Sequence, residues 1–403
     1  MQKNFHFLLG FFIIFVIVFL NAIGPYLSLQ QYATLGLIPI LGGIAFLFDV
    51  RDISSGKKEF SLFLLIFLSS FSTVFYYIGY DEFIRNVYLM LGAVIGAFVV
   101  IGLTKKIDYS LYFHLGYIFS ILALFLIMIK EGNITVNFAS ALDYRNRFML
   151  NANAYSYYCV FANFSLFYLY LIYKNRILLF SLFLLPLIFL VIAFTTQSRA
   201  GLALIILINI MFWFFVNKSD NLSRLKKLFK TILYLIIFLA ISYKFMEIYE
   251  GSRISSRISQ TAEREDSREI LFKEGIEVFT ENPIFGVGLG QFPFYSRYNL
   301  FTHNSYTEIL SEQGIIGGIF LFSLFLIPTF KSFNNFRKDS KNPIFRCNLL
   351  FFIVFILYNN AYVFYKFPFS MMYFFLIISI QNRQSNINET LDISISNKPS
   401  INK

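Results

Sequence analysis

In a chain of 403 residues, 57% are hydrophobic and only 14% are charged, with 54 Phe and 26 Tyr; an ordinary soluble domain carries roughly 25% charged residues, so this one has too little polar surface to face water. The formal net charge of +11 would point to nucleic acid in a soluble protein, but in a membrane protein it must first be sorted by side of the bilayer, and no nucleic-acid partner is expected. Two distant cysteines in or beside apolar runs, Cys159 and Cys347, and three histidines, His6, His114 and His303, make neither a disulfide framework nor a metal-ligand pattern, so neither a metal nor another cofactor is expected.

Crossing roughly 30 Å of hydrocarbon takes about 17–25 apolar residues. In chain order such stretches fall at 6–24, 32–48, 60–79, 83–103, 109–129, 154–173, 177–196, 200–216, 231–249, 307–330, 347–364 and 367–381. They are near-continuously apolar and do not alternate, which predicts helices over barrel strands. The expected fold is an all-α integral membrane protein of about twelve transmembrane helices. The first segment follows Lys3 and lacks a small-x-small cleavage site, so it is expected to remain as an uncleaved first helix.

With the N-terminus placed inside, 21 of the 34 Lys and Arg fall on the inner side, as the positive-inside rule requires. Of the 13 on the outer side, 9 are Arg. Arginine's planar fork grips phosphate or carboxylate through two bonds, so this excess fits an anionic ligand at the outer face. Snorkelling toward lipid headgroups fits it too.

Two outer loops are long, 130–153 and 250–304, and loops of that length are usually either functional or disordered. Within the second, Glu265 to Thr280 sets Ile270, Leu271, Ile276, Val278 and Phe279 among charges, which predicts an amphipathic helix. Asn282-Pro283 should stop it. Gly286, Gly288 and Gly290 then predict a tight re-entry loop in which backbone approaches something closely; they sit in an external loop between spans and not in a βαβ unit, which argues against a dinucleotide fingerprint. Ser305 and Glu308 fit a capping box. A helix is therefore expected to begin there, with free N–H groups available to an anion and His303 just ahead. Arg199 is pinned by a short connection between two spans, where an unpaired charge is costly and usually functional.

These pieces in order, Arg147 with Asn151-Ala152-Asn153, Ser198-Arg199-Ala200-Gly201, Arg268, Asn282-Pro283 with the glycine run to Phe292, and His303-Asn304 with Gly314 and Gly317, resemble the bacterial O-antigen ligase and polysaccharide polymerase superfamily. The resemblance covers about residues 145–330. It implies a GT-C-like glycosyltransferase of the inner (cytoplasmic) membrane, with a large periplasmic loop between helices 9 and 10. Such enzymes take a glycan from undecaprenyl diphosphate and pass it to an acceptor at the periplasmic face, without a metal and with inversion. Carried onto this chain, Arg199 and Arg268 would bind the diphosphate and His303 would orient or deprotonate the acceptor hydroxyl. Arg147, Asn153, Gly288, Gly290 and Asn304 would line the substrate site. Glu308 and Asp266 stay open as alternative bases.

The expected organisation is helices 1–5 over 1–130, a ligase or polymerase core over 131–330, two further helices over 331–381 and a cytoplasmic tail, 382–403. The short tail sets the chain apart from protein-glycosylating members, which often add a periplasmic domain. The expected activity is transfer of lipid-linked O-antigen to lipid A–core among membrane lipids. A polymerase joining lipid-linked repeat units, with a glycan acceptor, is the alternative, and a lipid-linked sugar flippase a further one.

Overall fold

A computed structural model describes residues 2–23, 36, 39–40, 43, 56–74, 77–104, 107–132, 134, 153–196, 198–218 and 267–396. Span 231–249, nearly all of 32–48, and the residues Arg147 and Asp266 lie outside the described residues. Every regular element among those described is helical: α1 (Gln2–Ile23), α2 (Lys57–Ser69), α3 (Tyr80–Leu103), α4 (Ile107–Lys130), α5 (Asn153–Tyr173), α6 (Arg176–Thr195), α7 (Arg199–Met211, continued by a π-helical turn, Phe212–Val216), α8 (Ser267–Glu281), α9 (Ser305–Lys338), α10 (Pro343–Tyr358) and α11 (Pro368–Ser396).

Five stretches among the described residues are long and apolar enough to cross a membrane: Tyr80–Leu103, Tyr109–Lys130, Arg176–Thr195, Arg199–Val216 and Ser305–Lys338. The chain is thus helical and suited to a bilayer, but twelve spans are not established. The third expected span, 60–79, is corrected outright. Its helix α2 has only 13 residues, about 20 Å of rise, because the chain turns at Ser70 through Thr73. α5 is long enough but carries six tyrosines and two asparagines; it is buried by protein along almost its whole length, so its composition answers to neighbouring side chains. α9 shows the opposite pattern. Ile315, Ile319, Phe322, Leu326, Phe330 and Phe333 form an exposed apolar stripe at helical spacing, which water would penalise and lipid accepts.

The chain divides into two compact units, 1–117 with 271–403, and 118–270. In the first, α11 packs on α3, α9 on α2 and α10, and α1 on α11. Small residues allow the closest approach. Gly92, Ala93, Gly96 and Ala97 are buried on α3, and a Cβ added to Gly96 would lie 2.7 Å from Met372 Cγ, the small-residue logic of helix pairs in lipid. Polar ties close the two ends of this unit. At one, Arg383 donates to the Thr104 carbonyl and Lys331 Nζ to Asn382 Oδ1 at 2.7 Å. At the other, the end of α2, the start of α3, the start of α9 and the α10–α11 loop come together.

In the second unit, α5, α6 and α7 pack on one another, with Phe167 and Phe212 stacked at 4.1 Å. Asn175 caps α6 through the Ile177 N–H and Ser198 caps α7 through the Gly201 N–H at 3.2 Å. Gly201 lets the start of α7 close on α5, since a Cβ there would lie 2.2 Å from Ser156 Oγ.

Candidate functional site

The amphipathic helix expected over 265–280 is α8, Ser267–Glu281, ending where Asn282-Pro283 was expected to stop it. Its buried face is Leu271, Gly275 and Val278, and Leu271 and Val278 share a core with Val287 and Phe292 of the glycine loop. Gly275 brings this helix onto the turn ahead of α9: a Cβ there would lie 3.2 Å from Thr302 Cγ2 and 3.5 Å from Thr307 Cβ.

The glycine loop re-enters the fold through its backbone. α9 is broken at Gly314, whose φ is 62°, and the break releases backbone groups that the loop takes up. Val287 N–H donates to the Ser311 carbonyl at 2.9 Å, Gly288 N–H to the Glu312 carbonyl at 2.7 Å, and Ile315 N–H to the Pro283 carbonyl at 2.8 Å. Gly286, Gly288 and Gly290 all have positive φ, a conformation only glycine adopts at little cost. A Cβ on Gly288 would meet Tyr77, and one on Gly290 would meet Asn86, so the close approach made here is to the chain itself. Gln291 completes the docking, with Oε1 accepting the Ile78 and Gly79 N–H groups at 2.9 and 3.0 Å.

His303 sits between this loop and α9. Its φ is 58°, in the left-handed region that few residues other than glycine occupy, and its ring lies on Phe301 with centroids 4.1 Å apart. Immediately after it, the capping pattern differs from expectation. Asn304, not Ser305, is the N-cap, its Oδ1 accepting the Tyr306 and Thr307 N–H groups at 2.9 and 3.3 Å. The Glu308 N–H goes to the Asn304 carbonyl and the Ser305 N–H to the Asn359 carbonyl. The first four N–H groups of α9 are therefore all engaged within the protein, and the expected anion site at this terminus is not formed. Ser305 instead anchors the α10–α11 loop, its hydroxyl oxygen 2.6 Å from Asn359 Oδ1 and accepting the Phe364 N–H at 3.1 Å.

Glu308 does not reach back to the cap. Its Oε2 accepts the Thr302 N–H at 2.8 Å and lies 2.9 Å from the Thr302 hydroxyl. Its Oε1 accepts from Lys366 Nζ at 2.8 Å, and the same ammonium donates to Glu312 Oε2 at 2.6 Å. All three side chains are at least 96% buried. Burial alone would push the Lys366 ammonium down, but Glu308 and Glu312 outweigh it and hold it above the ordinary lysine value of 10.5. With both oxygens engaged, Glu308 is poorly placed to serve as the alternative base.

Arg199 and Asn153 belong to the second unit: Arg199 is the exposed first residue of α7 behind the Ser198 cap, and Asn153 is the buried first residue of α5. Arg268, in the first turn of α8 and partly exposed, also falls within the second unit. Lys366, Glu312 and Thr302 were missed in the sequence. The available signal was the pair Glu308 and Glu312, like charges one turn apart, which destabilise a helix unless a cation covers them.

A helical membrane protein, with a buried polar and charged cluster where helix ends and loops meet, is the class that the described residues define. Residues 184–322 match the family described as O-Antigen ligase, and that match supports the O-antigen ligase and polymerase superfamily for this chain. The matched stretch contains Arg199, Arg268, Gly288, Gly290, His303 and Asn304, while Arg147 and Asn153 fall outside it. No curated protein sequence gives a significant match.

Proposed function

We propose that the protein is a GT-C-like glycosyltransferase of the inner membrane that transfers O-antigen polysaccharide from undecaprenyl diphosphate to lipid A–core at the periplasmic face. The observation that carries this reading is the His303 turn: a histidine held in left-handed backbone at a helix start, inside the stretch matching the O-Antigen ligase family. An imidazole titrates near neutral pH and suits the deprotonation of a hydroxyl.

In this mechanism the acceptor hydroxyl oxygen attacks the anomeric carbon as its proton passes to His303. The bond from that carbon to the diphosphate breaks, the electron pair leaves with the phosphate, and the configuration inverts without a metal. Arg199 and Arg268 stabilise the charge developing on the leaving group, as preorganised cations do where water is partly excluded. Arg147 and Asn153 assist in donor binding. Gly288 and Gly290 shape the site indirectly, by letting the loop seat against Tyr77 and Asn86, and Asn304 through its cap on α9, its amide group donating to Asn360 Oδ1 at 3.4 Å.

Deleting the gene in the native host and resolving the glycans tests the reaction. Long polysaccharide retained on undecaprenyl diphosphate, with bare lipid A–core, is the expected result. Core carrying a single repeat unit would make the protein a polymerase instead. With purified protein, Arg268→Ala and His303→Ala should each lower turnover by about 100-fold or more, His303→Ala keeping donor binding. Near-wild-type turnover in both would refute the site, and loss confined to the arginine variant would favour a flippase.

A further inference from the structure

We infer that Glu308, carried by the buried Lys366–Glu312 pair, is a positioning residue that holds the His303 backbone in its left-handed conformation through Thr302; the inference rests on the reading of His303 as the base. The hydrogen bonds form a closed path around that one residue. Glu308 Oε2 accepts the Thr302 N–H at 2.8 Å and lies 2.9 Å from the Thr302 hydroxyl oxygen. That hydroxyl oxygen lies 2.8 Å from the Asn304 carbonyl and accepts the Asn304 N–H at 3.2 Å. His303 is thus gripped through its two neighbours, and the grip leads through one carboxylate to an ammonium. Beyond Asn304, Ser305 is fastened to the α10–α11 loop, the same loop that supplies Lys366.

Two physical arguments turn this from a packing detail into a positioning device. A non-glycine residue at positive φ persists only where its surroundings over-determine it, and such residues gather at functional sites. The cluster itself is also a poor way to gain stability. Two carboxylates and one ammonium out of water, with side-chain exposures of 2%, 0% and 4%, are often matched or bettered by apolar side chains of similar volume. Lys366 engages both carboxylates, and the oxygen of Glu308 that faces away from it goes wholly to Thr302. What the cluster delivers is the shape of the turn that aims His303. A general base must sit within hydrogen-bond reach of its proton, and small misplacements are costly in rate.

The test compares wild type with Thr302→Val, which keeps the backbone N–H and volume but removes the hydroxyl, Thr302→Ser, which restores the hydroxyl, Glu308→Gln, and His303→Ala. Turnover is measured in detergent with lipid-linked polysaccharide and lipid A–core extracted from the native host. The rate of diethyl pyrocarbonate modification at the His303 peptide is followed by mass spectrometry as a readout independent of turnover. Thr302→Val and Glu308→Gln are expected to lower kcat about tenfold while donor KM stays within about twofold, and to change the modification rate at His303 about threefold or more. Thr302→Ser should stay close to wild type in both. Thermal melting confirms that each variant is folded. Wild-type kcat and an unchanged modification rate in both Thr302→Val and Glu308→Gln, with His303→Ala inactive, would overturn the positioning role and leave the proposed function standing. Full turnover in His303→Ala would instead refute the assignment of the base, and the positioning role with it. If wild type transfers no glycan, the modification rate decides alone: unchanged in both variants, it overturns the inference.

Discussion

Removing the cation from the buried cluster is the most direct trial of how the His303 end of α9 is held together. In Lys366→Met, Glu308 and Glu312 would face each other at 2% and 0% exposure with no counter-charge. Glu308 would keep its two contacts with Thr302, whereas Glu312 would lose the bond that Lys366 gives it at 2.6 Å. Taking one partner from a buried ion pair typically costs 3–5 kcal/mol, because the charge left behind is uncompensated, so a loss of about 3–5 kcal/mol is expected. In the double variant Lys366→Met with Glu312→Gln, one of the two stranded charges is gone. A recovery of about 1–3 kcal/mol is expected, since a neutral amide is far cheaper to bury than a carboxylate. Glu312→Gln alone should cost only about 1 kcal/mol, as its Lys366 contact becomes a neutral hydrogen bond and Glu308 still pairs with the ammonium. Equilibrium unfolding in detergent micelles, following the intrinsic fluorescence of the aromatic residues, measures all three. A Lys366→Met protein within 1 kcal/mol of wild type, or a double variant no better than the single, would refute the reasoning.

Two further outcomes follow from the same geometry. Gly314→Ala should destabilise the protein by about 3 kcal/mol or more, because φ there is 62° and a Cβ would lie 2.3 Å from the Ile284 carbonyl oxygen; melting in detergent checks it, and a wild-type Tm would mean that the break in α9 is not needed to seat the glycine loop. The Lys366 ammonium is held above its ordinary 10.5 by Glu308 and Glu312, against the opposing effect of burial, so its contribution is fully present below 10.5 and is lost as pH rises through the higher folded value. The stability gap between wild type and Lys366→Met should therefore narrow as pH rises above about 10, and it should also narrow on acidification, as the carboxylates stranded in the variant take up protons; a gap unchanged above pH 10 would contradict the assignment of the ammonium.

Much of this architecture was legible in the chain. Apolar runs bounded by charges located α3, α4, α6, α7 and the start of α9 to within a few residues, while α9 runs eight residues past its expected end; in a bilayer the backbone must bond to itself and side chains only need to be apolar. Asn282-Pro283 placed the end of α8 by a local steric rule that needs no tertiary partner. The ordered motifs from Ser198 to Gly317 were enough to point to the family that residues 184–322 match.

Tertiary structure decided the rest. Ser305 and Glu308 satisfy a capping pattern by spacing alone, yet Asn304 takes the cap. A buried lysine 58 residues further on and the Thr302 amide compete for the Glu308 carboxylate, and a charged partner binds it more strongly than a backbone N–H could. The glycines signalled close approach, and only the fold revealed that what approaches is Tyr77, Asn86 and the broken turn of α9. α2 has the composition of a spanning helix and stops short because the end of the bundle gives its last turn other partners, with Ser69 and Ser70 bound to Gln313. Composition and local sterics act within a few residues of their cause and can be read along the chain; a charge buried against residues distant in sequence is paired only when the helices pack, and that pairing shapes the turn holding His303.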